Sequence, residues 1–112
     1  MPLTLLHQRD QADAIENELL RHLALEKLHQ GIKTYLPGQA VWVYGSILRP
    51  GRFRLGSDID IALEQVATNY SLYAIQSLLT EATEHAVDIC KLEETRLKEK
   101  IMLQGQRWTE SV

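Results

Sequence analysis

A strictly alternating stretch near the middle of the chain reads Asp58-Ile59-Asp60-Ile61-Ala62-Leu63. Successive side chains of a β-strand point to opposite faces, so this pattern predicts a strand with three aliphatic side chains on one face. The same spacing places both aspartates on the other face. Two carboxylates held side by side repel each other unless a cation or water lies between them. The pair is therefore either a solvated sheet face or part of a metal site.

Three helices are predicted from apolar residues that recur three or four positions apart. Each has an apolar stripe that we expect to face the core. Asp10 is placed to cap the first helix and Gly31 to end it, and Gly105 is placed to end the third, after which the chain is interpreted as a tail. The predicted helices and their stripes are residues 10–30 (Ile15, Leu19 and Leu23, with Leu20, Ala24 and Leu28 beside them), 69–83 (Leu72, Ile75, Leu79) and 93–104 (Leu97, Ile101).

Two further strands are predicted at residues 40–44 and 86–90, where short runs are rich in β-branched and apolar residues. After the first of them, residues 46–49 could form a short helix, and residues 50–57 are predicted to be a loop. The order helix, strand, turn, strand, helix, strand, helix predicts an α+β (α/β-like) domain with a small sheet covered by helices. The length suits a single domain, residues 1–112.

The composition narrows the class of protein. The net charge of −3 argues against general affinity for nucleic acid, which needs a basic surface. The sequence has no apolar run of about 18 residues, the length that predicts a membrane helix, and its first residues do not resemble a secretion signal. The single cysteine, Cys90, excludes an internal disulfide and a paired-cysteine metal site. We therefore expect a cytoplasmic protein.

A third aspartate, Asp88, lies in the middle of an apolar predicted strand. Aspartate is disfavoured in strands and is rarely buried without a partner. A crossover through the second helix could bring this strand beside residues 58–63, so that Asp88 joins Asp58 and Asp60. Three converging carboxylates suit Mg²⁺-dependent phosphoryl or nucleotidyl transfer. The alternative is a strand aspartate that faces solvent.

A possible phosphate site follows the first strand. Gly45 would let the backbone approach a phosphate closely, and N–H groups at a helix start, with the Ser46 hydroxyl, can hold phosphate oxygens. Arg49 lies about one helical turn further on and could neutralise a triphosphate. Arg52 and Arg54 follow in the loop. On charge alone, the three arginines are either a solvated turn or a site for a polyanion such as a triphosphate or RNA.

Three segments together resemble a known signature. The pattern G-S-x-x-R…S-D-h-D, where h is apolar, followed by a strand with a third carboxylate, is typical of the polymerase β-like nucleotidyltransferases. At this length the chain resembles their minimal branch, the MNT proteins. The resemblance covers about residues 40–91, the expected nucleotide-binding core. The matching segments are Gly45-Ser46-Ile47-Leu48-Arg49, Ser57-Asp58-Ile59-Asp60 and Val87-Asp88-Ile89.

This resemblance implies a fold and a set of site residues. The implied fold is a small mixed β-sheet flanked by helices. The implied metal-binding and catalytic residues are Asp58, Asp60 and Asp88, which would bind Mg²⁺, with ATP as the nucleotide substrate. The residues implied to contact the nucleotide are Gly45, Ser46, Arg49 and Ser57.

The resemblance also implies a partner. MNT proteins are commonly encoded beside a small helical HEPN ribonuclease and act as its antitoxin, and some attach AMP to a tyrosine of that toxin. Three functions stay open: AMP transfer to such a toxin, neutralisation of the toxin by binding alone, and nucleotide transfer to a small hydroxylated molecule. The third is the least favoured, because relatives of that kind usually carry an extra helical domain. A homo- or hetero-oligomer is equally open.

Overall fold

The chain folds around a mixed sheet with helices on both faces. The computed structural model describes residues 2–65 and 70–109. The elements are α1 (Pro2–Tyr35), β1 (Val41–Tyr44), a single 3-10 turn (Ser46–Leu48), β2 (Ile59–Leu63), α2 (Leu72–Thr83), β3 (Val87–Lys91), α3 (Lys98–Gln104) and β4 (Gln106–Trp108). The strand order is β3-β2-β1-β4, with β2 parallel to β3 and the other neighbours antiparallel. The predicted α+β fold with a small mixed sheet is confirmed.

The connection from β2 through α2 to β3 brings these two strands side by side, as the sequence predicts. A parallel pair requires such a crossover, and α2 supplies it. The Ser71 hydroxyl caps α2 by accepting a hydrogen bond from the Ala74 N–H (3.1 Å), and Glu84 ends the helix in a left-handed conformation. The predicted start of this helix at residue 69 lies outside the described residues.

The sheet separates two apolar clusters. The larger one lies between the sheet and the helices α1 and α2, and Ile59, Ile61 and Leu63 of β2 are fully buried in it, as their alternation predicts. Ile75 and Leu79 reach the same cluster from α2, with Leu72 packed at its edge, which confirms the stripe predicted for that helix. The smaller cluster lies on the opposite face, where α3 packs, and its buried members are Ala62, Leu92 and Ile101.

Helix α1 is longer than the sequence predicts. It runs from Pro2 to Tyr35 instead of over residues 10–30, so Asp10 does not cap it and Gly31 does not end it. Gly31 lies inside the helix where α2 packs closely, and a Cβ at this position would lie only 2.8 Å from Leu79 Cδ2. A glycine usually marks a helix end, but here it is needed for the close approach of two helices.

The buried face of α1 agrees with the prediction only in part. Three residues of the predicted stripe are exposed, with 62% of Ile15, 66% of Leu19 and 48% of Leu23 accessible to solvent. Ala24 and Leu28 of the same stripe are buried in the core, as predicted, together with Ile32. The prediction was wrong for Ile15, Leu19 and Leu23 because α1 carries apolar residues on more than one face, and periodicity does not indicate which face packs. None of the helices in the described part of the chain has an apolar stretch that could span a bilayer.

In the C-terminal region the helix is shorter than predicted, and an additional strand follows it. Helix α3 begins at Lys98, not at residue 93, because the preceding residues form turns. Gly105 ends the helix as predicted, and its N–H donates to the Ile101 carbonyl (2.7 Å). The chain that follows is not a tail: it forms β4, which pairs with β1 and places Trp108 opposite Val41.

Candidate active site

The turn that follows β1 brings the backbone against an aspartate of β2. Gly45 has φ 85° and ψ −154°, a conformation that residues with a side chain rarely adopt. A Cβ at Gly45 would lie 2.5 Å from Asp60 Oδ2. Glycine is therefore required here for two reasons, the backbone conformation and the nearby carboxylate. The result is an open backbone surface directly beside Asp60.

The single 3-10 turn Ser46–Leu48 is fixed from both sides. Ile47 is fully buried in the core, and its carbonyl accepts a hydrogen bond from Arg21 Nη1 of α1 (3.0 Å). After the turn, the Arg49 N–H donates to the Ser46 carbonyl (3.0 Å). The Arg49 guanidinium reaches across to α3 and donates from Nη2 to Gln104 Oε1 (3.2 Å). The position of Arg49 therefore depends on α3 as well as on its own loop.

The three predicted carboxylates lie on or next to the neighbouring strands β2 and β3. Asp60 is half-buried on the face opposite the larger cluster, and Asp88 is its direct partner in the parallel register. Asp88 is exposed, as is Asp58, which immediately precedes β2. Burial, together with the negative charges of Asp88 and Asp58, raises the pKa of Asp60 from 3.8 to about 6. A cation bound beside Asp60 would stabilise its charged form and so offset both the burial and the repulsion between the carboxylates.

Tyr44 lies beside these carboxylates and was not singled out by the sequence. It is opposite Asp60 in the antiparallel register of β1 and β2, and its hydroxyl is 3.6 Å from the Cys90 Sγ. Burial raises the pKa of Tyr44 well above its ordinary value, and the contact with Cys90 and the nearby carboxylates act in the same direction. The phenol therefore stays protonated at neutral pH.

An open groove of about 540 Å³ adjoins Asp60. This volume lies in the range of sites for small ligands. Arg49, Arg52 and Lys100 supply three positive charges along it, against the single carboxylate of Asp60. The groove therefore favours an anionic ligand. Its lining residues are Tyr44, Gly45, Ser46, Leu48, Arg49, Arg52, Asp60, Leu97, Lys100, Ile101 and Gln104.

The chain matches the family described as "Polymerase beta, Nucleotidyltransferase" over residues 26–110. The protein belongs to the polymerase beta nucleotidyltransferase family. Its fold is similar to that of a chain in a solved structure, the "Crystal structure of the toxin-antitoxin with AMP-PNP", with a TM-score of 0.59 and 24% identity over 77% of this chain and 73% of that chain. At this level of identity the likeness shows a shared fold. No curated protein matches the sequence significantly.

The aspartates of this nucleotidyltransferase have the donor chemistry that Mg²⁺ requires. Mg²⁺ prefers carboxylate oxygens and completes its coordination with phosphate and water. In residues 2–65 and 70–109, however, no group of three or more His, Cys, Asp or Glu side chains is arranged to hold a metal ion. The metal site stays a prediction, supported by the donor chemistry and by the raised pKa of Asp60.

The structure divides the other predicted site residues of the nucleotidyltransferase into two groups. Gly45, Ser46 and Arg49 line the groove. Ser57 does not line it: its hydroxyl accepts a hydrogen bond from the Arg54 N–H (2.9 Å) and so closes the loop before β2. The side chain of Arg54 lies at a separate cavity with the acidic residues Asp13 and Glu16. The arginine cluster of the sequence is thus split, with Arg49 and Arg52 at the groove and Arg54 away from it.

Two groove residues of the nucleotidyltransferase could not be found by sequence reasoning. Lys100 and Gln104 lie one turn apart on α3, far along the chain from the Gly45-Ser46 turn. A lysine and a glutamine on a short amphipathic helix are typical of a solvated face. Only the packing of α3 against the sheet, through Ile101, brings them to the groove.

Proposed function

We propose that this nucleotidyltransferase transfers AMP from ATP, with Mg²⁺, to a hydroxyl group of a partner toxin and thereby acts as its antitoxin. The observation that carries the proposal is the contact between Gly45 and Asp60, which places an open backbone turn directly against a carboxylate. A nucleotidyl transfer site needs these two elements together, one for the phosphates and one for the metal. Membership of the family supports the same reaction.

The proposed roles follow from the positions of the residues. Asp58, Asp60 and Asp88 would hold the metal, whose charge would stabilise the phosphate oxygens as they gain negative charge. The backbone at Gly45, the Ser46 hydroxyl and the Arg49 guanidinium would hold the phosphates in the groove.

The reaction exchanges one bond to phosphorus for another. The acceptor oxygen bonds to the α-phosphorus of ATP, and the bond from that phosphorus to pyrophosphate breaks. Asp88, which is exposed beside Asp60, would accept the proton of the attacking hydroxyl. Pyrophosphate leaves, and the acceptor keeps the AMP group through a phosphodiester bond. With a protein acceptor, we propose that the hydroxyl belongs to a tyrosine.

The proposed partner is a HEPN-type ribonuclease toxin. The similar solved structure is of a toxin-antitoxin with AMP-PNP, an analogue of ATP, which supports both a toxin partner and an adenine nucleotide. The signature shared with the MNT proteins supports the HEPN type. The groove is open to solvent beside Asp60, so an acceptor side chain from a second protein could enter it.

The test of this proposal is the intact mass of the partner. The purified protein would be incubated with ATP, Mg²⁺ and the product of the neighbouring gene, and a variant with Asp58→Asn and Asp60→Asn would serve as the control. We expect the partner to gain whole AMP units with the native protein and none with the variant. An unchanged mass in both incubations would reject AMP transfer to this partner.

A second candidate function is neutralisation by binding alone. The exposed stripe Ile15, Leu19 and Leu23 of α1 favours it, because an apolar helix face of this kind can contact a partner without any chemistry. This function predicts that the variant with Asp58→Asn and Asp60→Asn still neutralises the toxin, whereas Leu19→Gln weakens the complex. Loss of neutralisation by a folded aspartate variant that still binds the toxin would favour catalysis.

A further inference from the structure

We propose that Arg52 and Lys100 bind the triphosphate of the nucleotide from opposite sides of the groove, and that with Arg49 they form its cationic lining. This inference rests on the proposed function, since it takes a nucleoside triphosphate as the ligand of the groove. It assigns a role to one residue of the loop after β1 and to one residue of α3. Neither lies in the Gly45-Ser46…Arg49 motif or in the carboxylate set.

Arg52 is held at the groove by the loop around it. Its N–H donates to the Arg49 carbonyl (3.0 Å), so the two arginines belong to one tight turn. The next residue, Phe53, is 1% exposed and packs its ring 4.8 Å from that of His85. This anchor fixes the loop while the Arg52 side chain stays exposed and lines the groove.

Lys100 is held on the other side by α3. Ile101, next to it, is 2% exposed and packs this helix against the sheet. Gln104 lies one turn after Lys100, on the same side of the helix, and accepts the hydrogen bond from Arg49. The bond between Arg49 and Gln104 thus connects the two walls, and Lys100 lies one turn along from it.

Both groups are available to a ligand. Within residues 2–65 and 70–109, neither Arg52 nor Lys100 takes part in an ion pair. Lys98, on the same helix, differs, because its Nζ lies 2.7 Å from Glu93 Oε2. Arg54, on the same loop as Arg52, lies at another cavity beside Asp13 and Glu16. Arg54 and Lys98 are therefore matched positions that carry the same charges outside the groove.

The charge and size of the groove favour a triphosphate over an extended polyanion. Three cations face one carboxylate in about 540 Å³, which suits a compact ligand with several negative charges. A nucleic-acid strand needs a basic surface that continues beyond one groove, and the protein has a net charge of −3. An arginine and a lysine are complementary here, since guanidinium binds two phosphate oxygens at once and ammonium acts as a mobile point charge.

The test is the dissociation constant for ATP in the presence of Mg²⁺, measured by titration calorimetry on the full chain. Arg52→Gln and Lys100→Gln should each weaken binding about tenfold, the value of one charge-assisted hydrogen bond, and together more. The controls Arg54→Gln and Lys98→Gln should bind as the native protein does. Arg52→Lys and Lys100→Arg should retain most of the affinity, and circular dichroism would show that every variant is folded.

Three outcomes would overturn the inference: unchanged ATP affinity in Arg52→Gln and Lys100→Gln, equal weakening in the two controls, or no ATP binding by the native chain. A loss of affinity for a short oligoribonucleotide, with ATP affinity unchanged, would also overturn it. The ATP titration and the mass assay of the partner test different claims. AMP transfer with ATP affinity insensitive to both residues would reject this inference alone. Sensitive ATP affinity without AMP transfer would reject the partner reaction alone.

Discussion

Asp60 and Asp88 are direct partners in the parallel register of β2 and β3. Both are separated from the larger apolar cluster by their position on the sheet, but only Asp60 is partly shielded from solvent. The pair is electrostatically unfavourable, because like charges at neighbouring strand positions repel and burial disfavours the charged form. A fold that keeps such a pair loses stability unless a cation neutralises it. This cost is a measurable property of the site.

The stability of the protein without divalent metal should fall as Asp60 ionises. Its pKa rises from 3.8 to about 6 on folding, so the folded state holds the proton more tightly than the unfolded chain does. The contribution of Asp60 to stability is therefore most favourable below about pH 4, is lost between about pH 4 and 6, and stays lost above that. Asp60→Asn removes this loss.

The expected gain from Asp60→Asn is modest, because Asp60 is only half-buried and solvent screens its charge. We expect an increase of roughly 1 kcal/mol, or about 4 °C in melting temperature, above pH 7 with EDTA present. Near pH 4 the variant and the native protein should melt together. The exposed Asp13→Asn is the control and should have no such pH-dependent effect. A variant that is less stable than the native protein above pH 7 would contradict the assignment.

Gly45→Ala should destabilise the protein more than Gly38→Ala does. Both glycines have positive φ, 85° and 74°, so each alanine carries backbone strain of about 1–3 kcal/mol. Only at Gly45 would the new Cβ also meet Asp60 Oδ2, at 2.5 Å, whereas Gly38 has open space. We expect a total loss of about 2–3 kcal/mol for Gly45→Ala in denaturant titrations.

The extra loss at Gly45 should depend on Asp60. In an Asp60→Ala background, Gly45→Ala should cost less than it does in the native protein, because the clash is gone and only the backbone strain remains. An equal cost of Gly45→Ala in both backgrounds would mean that the turn does not press against the carboxylate.

The strands and the carboxylate register could be predicted because they follow from local rules. Alternation over residues 58–63 fixes which side chains of β2 are buried, and the crossover through a helix places the next strand alongside. Asp88 was recognisable as the third carboxylate because an aspartate within an apolar strand is unusual. The turn at Gly45 was recognisable as a glycine between a strand and a short helix.

The buried face of α1, the strand β4 and the position of Lys100 depend on contacts that no local sequence pattern encodes. The apolar residues of α1 occupy two faces, and only the packing of the sheet and α2 buries Ala24, Leu28 and Ile32 while it leaves Ile15, Leu19 and Leu23 exposed. The strand Gln106–Trp108 is too short to show alternation, and β1 alone defines it. Lys100 reaches the groove only because α3 folds back on the sheet.

The different burial of two leucines of α1 predicts opposite results when each is replaced. Leu19→Gln should change the free energy of unfolding by less than about 0.5 kcal/mol, because this side chain is already exposed. Leu28→Ala should cost about 2–5 kcal/mol, because Leu28 is fully buried and its removal leaves a cavity. Chemical denaturation of the two variants measures both values. A large loss for Leu19→Gln would mean that the stripe is buried in solution, by another copy or by another part of the chain.

Mg²⁺ should stabilise the native protein through the three aspartates. A ligand that binds only the folded state raises stability according to its concentration relative to the dissociation constant, so a saturating level should raise the melting temperature by several degrees. The effect should be largest above about pH 6, where Asp60 is ionised, and should vanish near pH 4. The variant with Asp58→Asn and Asp60→Asn should not respond, whereas the matched variant with Asp13→Asn and Glu16→Gln, which removes two carboxylates outside the site, should respond as the native protein does. A response that persists in the first variant, or is lost in the second, would place Mg²⁺ binding elsewhere on the protein.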